Sequence, residues 1–155
     1  MKKFEFKLQR LLDLREMKEE QVKNELAKLV SIQNRERIKQ QEFNQRIQEN
    51  YTQLSRKMRE GKFSYREAMM CERFVDVARR AIQKSQDAID QMEPEVEKVR
   101  QQLVEASRER KVVEKLKERK WEEYLYEYNR EMAKEIDDMN QQLHQRQQFG
   151  QQYQY

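Results

Sequence analysis

Histidine occurs once in this sequence, at His144, and cysteine once, at Cys71. A thiol with neither a histidine nor a second thiol beside it lacks the base that would make it a nucleophile. One cysteine and one histidine also cannot complete a tetrahedral zinc site. The two glycines, Gly61 and Gly150, lie far apart, so no phosphate-cradling loop exists. Carboxylates abound, but they alternate with Lys and Arg at three- and four-residue steps, the pattern of ion pairs on a helix surface. No catalytic residue, metal ligand set or cofactor is therefore expected, and the protein is read as a non-enzyme. What remains is the chemistry of surfaces.

Three surfaces stand out. The first is a stripe of Trp121, Leu125, Tyr128, Met132, Ile136 and Met139, spaced as a helix-packing seam. Aromatic and methionine side chains of this kind anchor protein interfaces. The second is a reversal of charge: residues 107–120 carry seven basic and three acidic side chains, and residues 122–138 carry seven acidic and two basic ones. Such a reversal can orient a partner. The basic stretch contains no interleaved aromatic for stacking on bases, so nucleic acid is not an expected partner. The third surface lies early in the second half, where Phe74 and Ala81 flank a seam and Val77 points outward.

These residues must be positioned by helices. Only 36% of the 155 residues are apolar while 40% are charged, and proline occurs once. Glu, Lys, Arg, Gln, Leu and Met lose little freedom in a helix. From Ala78 the steps of four and three run through Ile82, Ser85, Ile89, Met92, Val96, Val99, Leu103, Ala106, Arg110 and Val113, and nine of these eleven positions are apolar. That repeat predicts a coiled coil. Pro94 falls on its outer face, where a lost hydrogen bond faces water. The first half shows a rougher seam of Phe4, Leu8, Leu11, Val22, Leu26, Leu29 and Ile32, then Phe43, Ile47, Tyr51, Leu54 and Met58. Between residues 33 and 42 the seam turns polar, which predicts weak packing there.

The halves are divided by Arg56, Lys57, Arg59 and Gly61, a helix C-terminus with a left-handed cap, and by Ser64 with Glu67, a capping box. A connection this short makes the helices antiparallel. The expected fold is all-α: an antiparallel two-helix coiled-coil hairpin over residues 1–143, with helices 4–60 and 64–143, a turn at 61–63, and a glutamine-rich flexible tail at 144–155. Folding about residue 62 sets residue i against 124 − i, and both seams then agree. Helix two outruns helix one from about Trp121, leaving its stripe uncovered. Phe149, Tyr153 and Tyr155 could make the tail adhesive. No window suits a signal peptide or a membrane span, and the lone cysteine fits a reducing cytoplasm.

The N-terminal FEFKLQRLLDLREMKEE, the turn region REGKFSYREAMMCERFVDVARRAI and the C-terminal VVEKLKERKWEEYLYEYNREMAKEIDDM resemble the FliJ family of the flagellar export apparatus. The resemblance covers nearly the whole chain except the glutamine tail. It implies an antiparallel coiled coil similar to the central stalk of rotary ATPases, one that enters and stimulates a hexameric flagellar export ATPase. It further implies contacts with the cytoplasmic domain of an export-gate membrane protein and with export chaperones. The protein would be cytoplasmic and peripheral at the inner membrane's cytoplasmic face, at the flagellar base. By resemblance, the ATPase-facing end comprises Leu8, Leu11, Leu12, Leu14 and Arg15, with Trp121, Tyr124, Arg130, Met132, Lys134 and Asp138. The gate contact maps onto Phe74, Ala78, Ala81 and Ser85. Alternatives are the equivalent stalk of a needle-type secretion system and a self-associating structural coiled coil.

Overall fold

A chain with so few turn residues commits long stretches to helix, and the computed structural model has two. It describes residues 3–152, with side chains for residues 3–146. Helix α1 spans Gln9–Arg59 and helix α2 spans Tyr65–Gln152. They pack against each other as an all-α hairpin. Two compact units divide it, residues 18–106 and the two segments 1–17 and 107–155.

The turn belongs to the first unit. Gly61 has φ 71°, a conformation that costs side-chain-bearing residues energy and glycine little. Lys62 N–H donates to the Lys57 carbonyl at 2.9 Å and Gly61 N–H to the Met58 carbonyl at 3.3 Å. This pair of bonds is a Schellman motif, which satisfies carbonyls that the end of α1 leaves open. Ser64 then stands just before α2, its carbonyl accepting from Ala68 N–H at 3.1 Å. Glu67 sits where a capping box puts its acid, and its carboxylate pairs with Lys57 across the turn at 2.9 Å.

In the same unit every position of the expected α2 seam from Ala78 to Ala106 is buried or half-buried. Cys71 and Val75 extend the repeat backward and join Ile47 and Ala78 in a core cluster, with Phe43, Tyr51, Leu54, Phe74 and Ile82 packed on it. The α1 seam keeps its three-and-four rhythm but is displaced by one residue in places. Gln33 is 1% exposed where Ile32 was expected inward, and Ile32 and Met58 face solvent. The polar stretch is closed by hydrogen bonds between helices. Gln33 Nε2 donates to Glu93 Oε2 at 2.9 Å, Ser85 Oγ to Glu36 Oε2 at 2.9 Å, and Gln40 Nε2 to Gln86 Oε1 at 3.1 Å. Hydrogen bonds from Lys39 and then Ser85 hold the Glu36 carboxyl below the usual range, since both favour its charged form.

The second unit holds the N-terminal segment and the rest of α2. Leu12 and Val113 are its buried apolar pair, and Arg15 forms an ion pair with Glu109. Here α1 starts at Gln9, later than residue 4. No acidic side chain supports its first turn, and residues 3–6 lie outside any helix. At the other end α2 passes residue 143 and continues through Gln152, glutamine being a good helix former. The Phe149 side chain and residues Tyr153 and Tyr155 lie outside the described residues.

Candidate functional site

Once α1 begins at Gln9, the segment before it is free to cross α2. Phe4 meets Trp121 edge-on, with ring centroids 5.0 Å apart, and Tyr124 at 5.5 Å. Trp121 and Tyr124 stack at 5.5 Å, and Tyr128 continues the column at 6.2 Å from Tyr124. Such spacings are those at which aromatic rings attract beyond simple burial. The root of the overhang is thus partly covered, where the sequence predicted no cover. Phe4, expected as a residue of the α1 seam, provides that cover from outside the helix. The cue was available in Phe4 and Phe6, which alternate as an extended segment does.

From Leu125 onward the stripe opens to solvent. Leu125, Tyr128, Met132, Ile136 and Met139 are 38–57% exposed, and Leu143 extends the same line. An open groove of about 780 Å³ runs beside the column, between the N-terminal segment and α2. Phe4, Phe6, Leu116 and Tyr124 give it an apolar floor, and its rim is of mixed charge, with Lys3, Lys7 and Lys120 beside Glu5, Glu123, Glu127 and Glu131 and Lys120 paired to Glu123 at 2.6 Å. An apolar floor with a charged rim of both signs suits an amphipathic segment.

The residues expected at the ATPase-facing end separate into three groups. Leu8, Leu11, Leu14, Trp121 and Met132 present surface, as do Arg130, Lys134 and Asp138. Tyr124 is half-buried in the aromatic column, and Arg15 is engaged with Glu109. Leu12 is 4% exposed and belongs to the seam. All of them lie in the unit formed by residues 1–17 and 107–155.

The residues expected at the gate contact lie in the other unit and divide as well. Ala78 is fully buried between the helices, and Ser85 is buried with its hydroxyl donated to Glu36. Phe74 is half-buried against the core cluster, and Ala81 is half-buried. Val77 beside them is 63% exposed. Any partner on this face of an intact hairpin therefore meets Phe74, Val77 and Ala81 but not the Ala78 and Ser85 side chains.

Among the described residues, no group of His, Cys, Asp and Glu is placed to hold a metal ion. No helix there is long and apolar enough to cross a membrane. The sequence model of the flagellar FliJ protein family matches the chain over residues 4–149. Comparison with curated proteins gives no match, and neither does comparison with solved structures.

Proposed function

Because the chain belongs to the FliJ family of flagellar proteins, we propose that it is a non-enzymatic stalk and escort of the flagellar protein export apparatus. In this reading its helical end binds a hexameric export ATPase and stimulates turnover. Other surfaces link it to the export gate's cytoplasmic domain and to export chaperones, at the cytoplasmic face of the membrane. The observation that carries the reading is the stripe from Leu125 to Met139, exposed along a helix that has outrun its partner. In water each large apolar side chain left uncovered forgoes roughly 1.5–3 kcal/mol of burial. Repeated along several turns, that loss marks a surface that a partner covers.

Deleting residues 122–155 should abolish stimulation of the ATPase while circular dichroism still shows a folded hairpin between residues 8 and 116. Undiminished stimulation by the truncated protein would sink the assignment of this end to the motor. For the gate, Phe74, Val77 and Ala81 are the side chains that support a contact, as the accessible part of the early α2 face.

A further inference from the structure

The chain carries 33 basic and 29 acidic residues. Residues 56–66, which end α1, make the turn and open α2, hold five of the basic residues and one of the acidic ones. These eleven residues therefore carry a net charge of +4, as the stretch 107–120 also does, and two of their cations are paired, Lys57 with Glu67 and Lys62 with Glu60. Helix stability explains part of this. Arg56, Lys57 and Arg59 lie in the last turn of α1, where positive charge meets the negative end of the helix dipole. It does not explain Arg66 in the first turn of α2, where that helix's own dipole disfavours a cation. Among the described residues, Arg56, Arg59 and Arg66 form no ion pair, and all three are exposed.

The apolar residues here also run against expectation. A turn is ordinarily polar, yet Phe63 is 52% and Tyr65 73% exposed, with Met58 and Met70 beside them. Neither ring belongs to the core cluster. Exposed arginines interspersed in sequence with exposed aromatic and methionine residues match one chemistry closely: an anionic bilayer surface, with phosphates for the arginines and the acyl boundary for the rings. A free phosphate or a soluble polyanion would use the arginines and leave Phe63 and Tyr65 idle. We propose that the hairpin's turn docks peripherally on anionic lipid, independently of the ATPase-facing end.

Co-sedimentation of the full-length protein with vesicles tests this without any partner protein. The protein should pellet with equimolar phosphatidylglycerol and phosphatidylcholine, stay soluble with phosphatidylcholine alone, and be released by high salt. The combined variant Arg56→Gln, Arg59→Gln, Arg66→Gln should lower partitioning about a hundredfold, each arginine near an anionic surface contributing about fivefold. Phe63→Ser should lower it several-fold while the arginines remain. These positions are exposed, and circular dichroism checks that helix content is kept. Failure to bind anionic vesicles, equal binding to neutral ones, or undiminished binding by the arginine variant overturns the proposal. Undiminished binding by Phe63→Ser overturns it too, because the turn is then only a patch for polyanions.

Discussion

Gln33 shows what a single side chain does in this protein. It is the largest side chain enclosed to 1%, in a position an aliphatic residue would ordinarily fill, and its amide is satisfied by Glu93. A buried amide bond of this sort adds little net stability, because the same groups bond to water in the unfolded chain. Glu93 keeps about half its side chain in solvent and has Arg100 at 3.8 Å. Gln33→Leu should therefore be neutral or stabilising by up to ~1 kcal/mol in urea unfolding, since Glu93 retains its water and its cation. Gln33→Ala removes the packing as well and should cost about 2 kcal/mol. A large loss in the leucine variant would show that the bond itself holds the layer together. Glu36 adds a dependence on acid: its depressed carboxyl contributes stability above the ordinary carboxylate pKa, and loses it as pH falls through the lower folded value.

At the scale of helices, the two seams differ in how plainly they could be read. The α2 seam was legible from Ala78 to Val113, because nine apolar residues in eleven positions leave the repeat no second phase. The α1 seam was legible only in its apolar stretches. Leucines stand side by side at Leu11 and Leu12, and an aliphatic residue stands beside a glutamine at Ile32 and Gln33, so each doublet offers two phases. The structure selects Leu12 and Gln33 because they continue the rhythm through Arg15, Val22, Leu26 and Leu29. This choice has a measurable consequence. Leu12→Ala should cost ~2–4 kcal/mol of stability, and Leu11→Ala, at 36% exposure, less than about 1 kcal/mol. The order of the two in thermal or urea unfolding reports the phase directly. The N-terminal cover was less legible still, since Phe4 fits an early helix turn as readily as an extended strap until its contact with Trp121 is seen.

For the molecule as a whole, the decisive relation is the register of one helix on the other. Within residues 18–106 Gln33 with Glu93 and Lys57 with Glu67 agree on it, and within the other unit Arg15 pairs with Glu109. Each pair sums to within a few residues of the value expected from a fold about residue 62. Leu29→Cys together with Val96→Cys should consequently crosslink within one chain under mild oxidation, giving a product of monomer size. Products of dimer size alone would indicate that the helices pair between chains. The surfaces proposed for binding were legible only as regions. Sequence pattern marks the stripe and the early α2 face, but which side chains reach solvent depends on how the helices pack. Ala78 and Ser85, drawn to the gate contact by resemblance, are enclosed by that packing.

The aromatic column at the root of the overhang has an optical consequence. Trp121 is the only tryptophan in the chain, and its indole is enclosed on one side by Phe4 and Tyr124 while 44% of the residue faces water. Emission excited at the red edge of its absorption therefore comes from this one place, with no background from elsewhere in the protein. Lifting the N-terminal segment would wet the ring and shift its emission to longer wavelength, whereas a partner closing over the stripe would dry it and shift emission the other way. The two events displace a single spectral line in opposite directions, so the protein carries its own label at the end where binding is proposed.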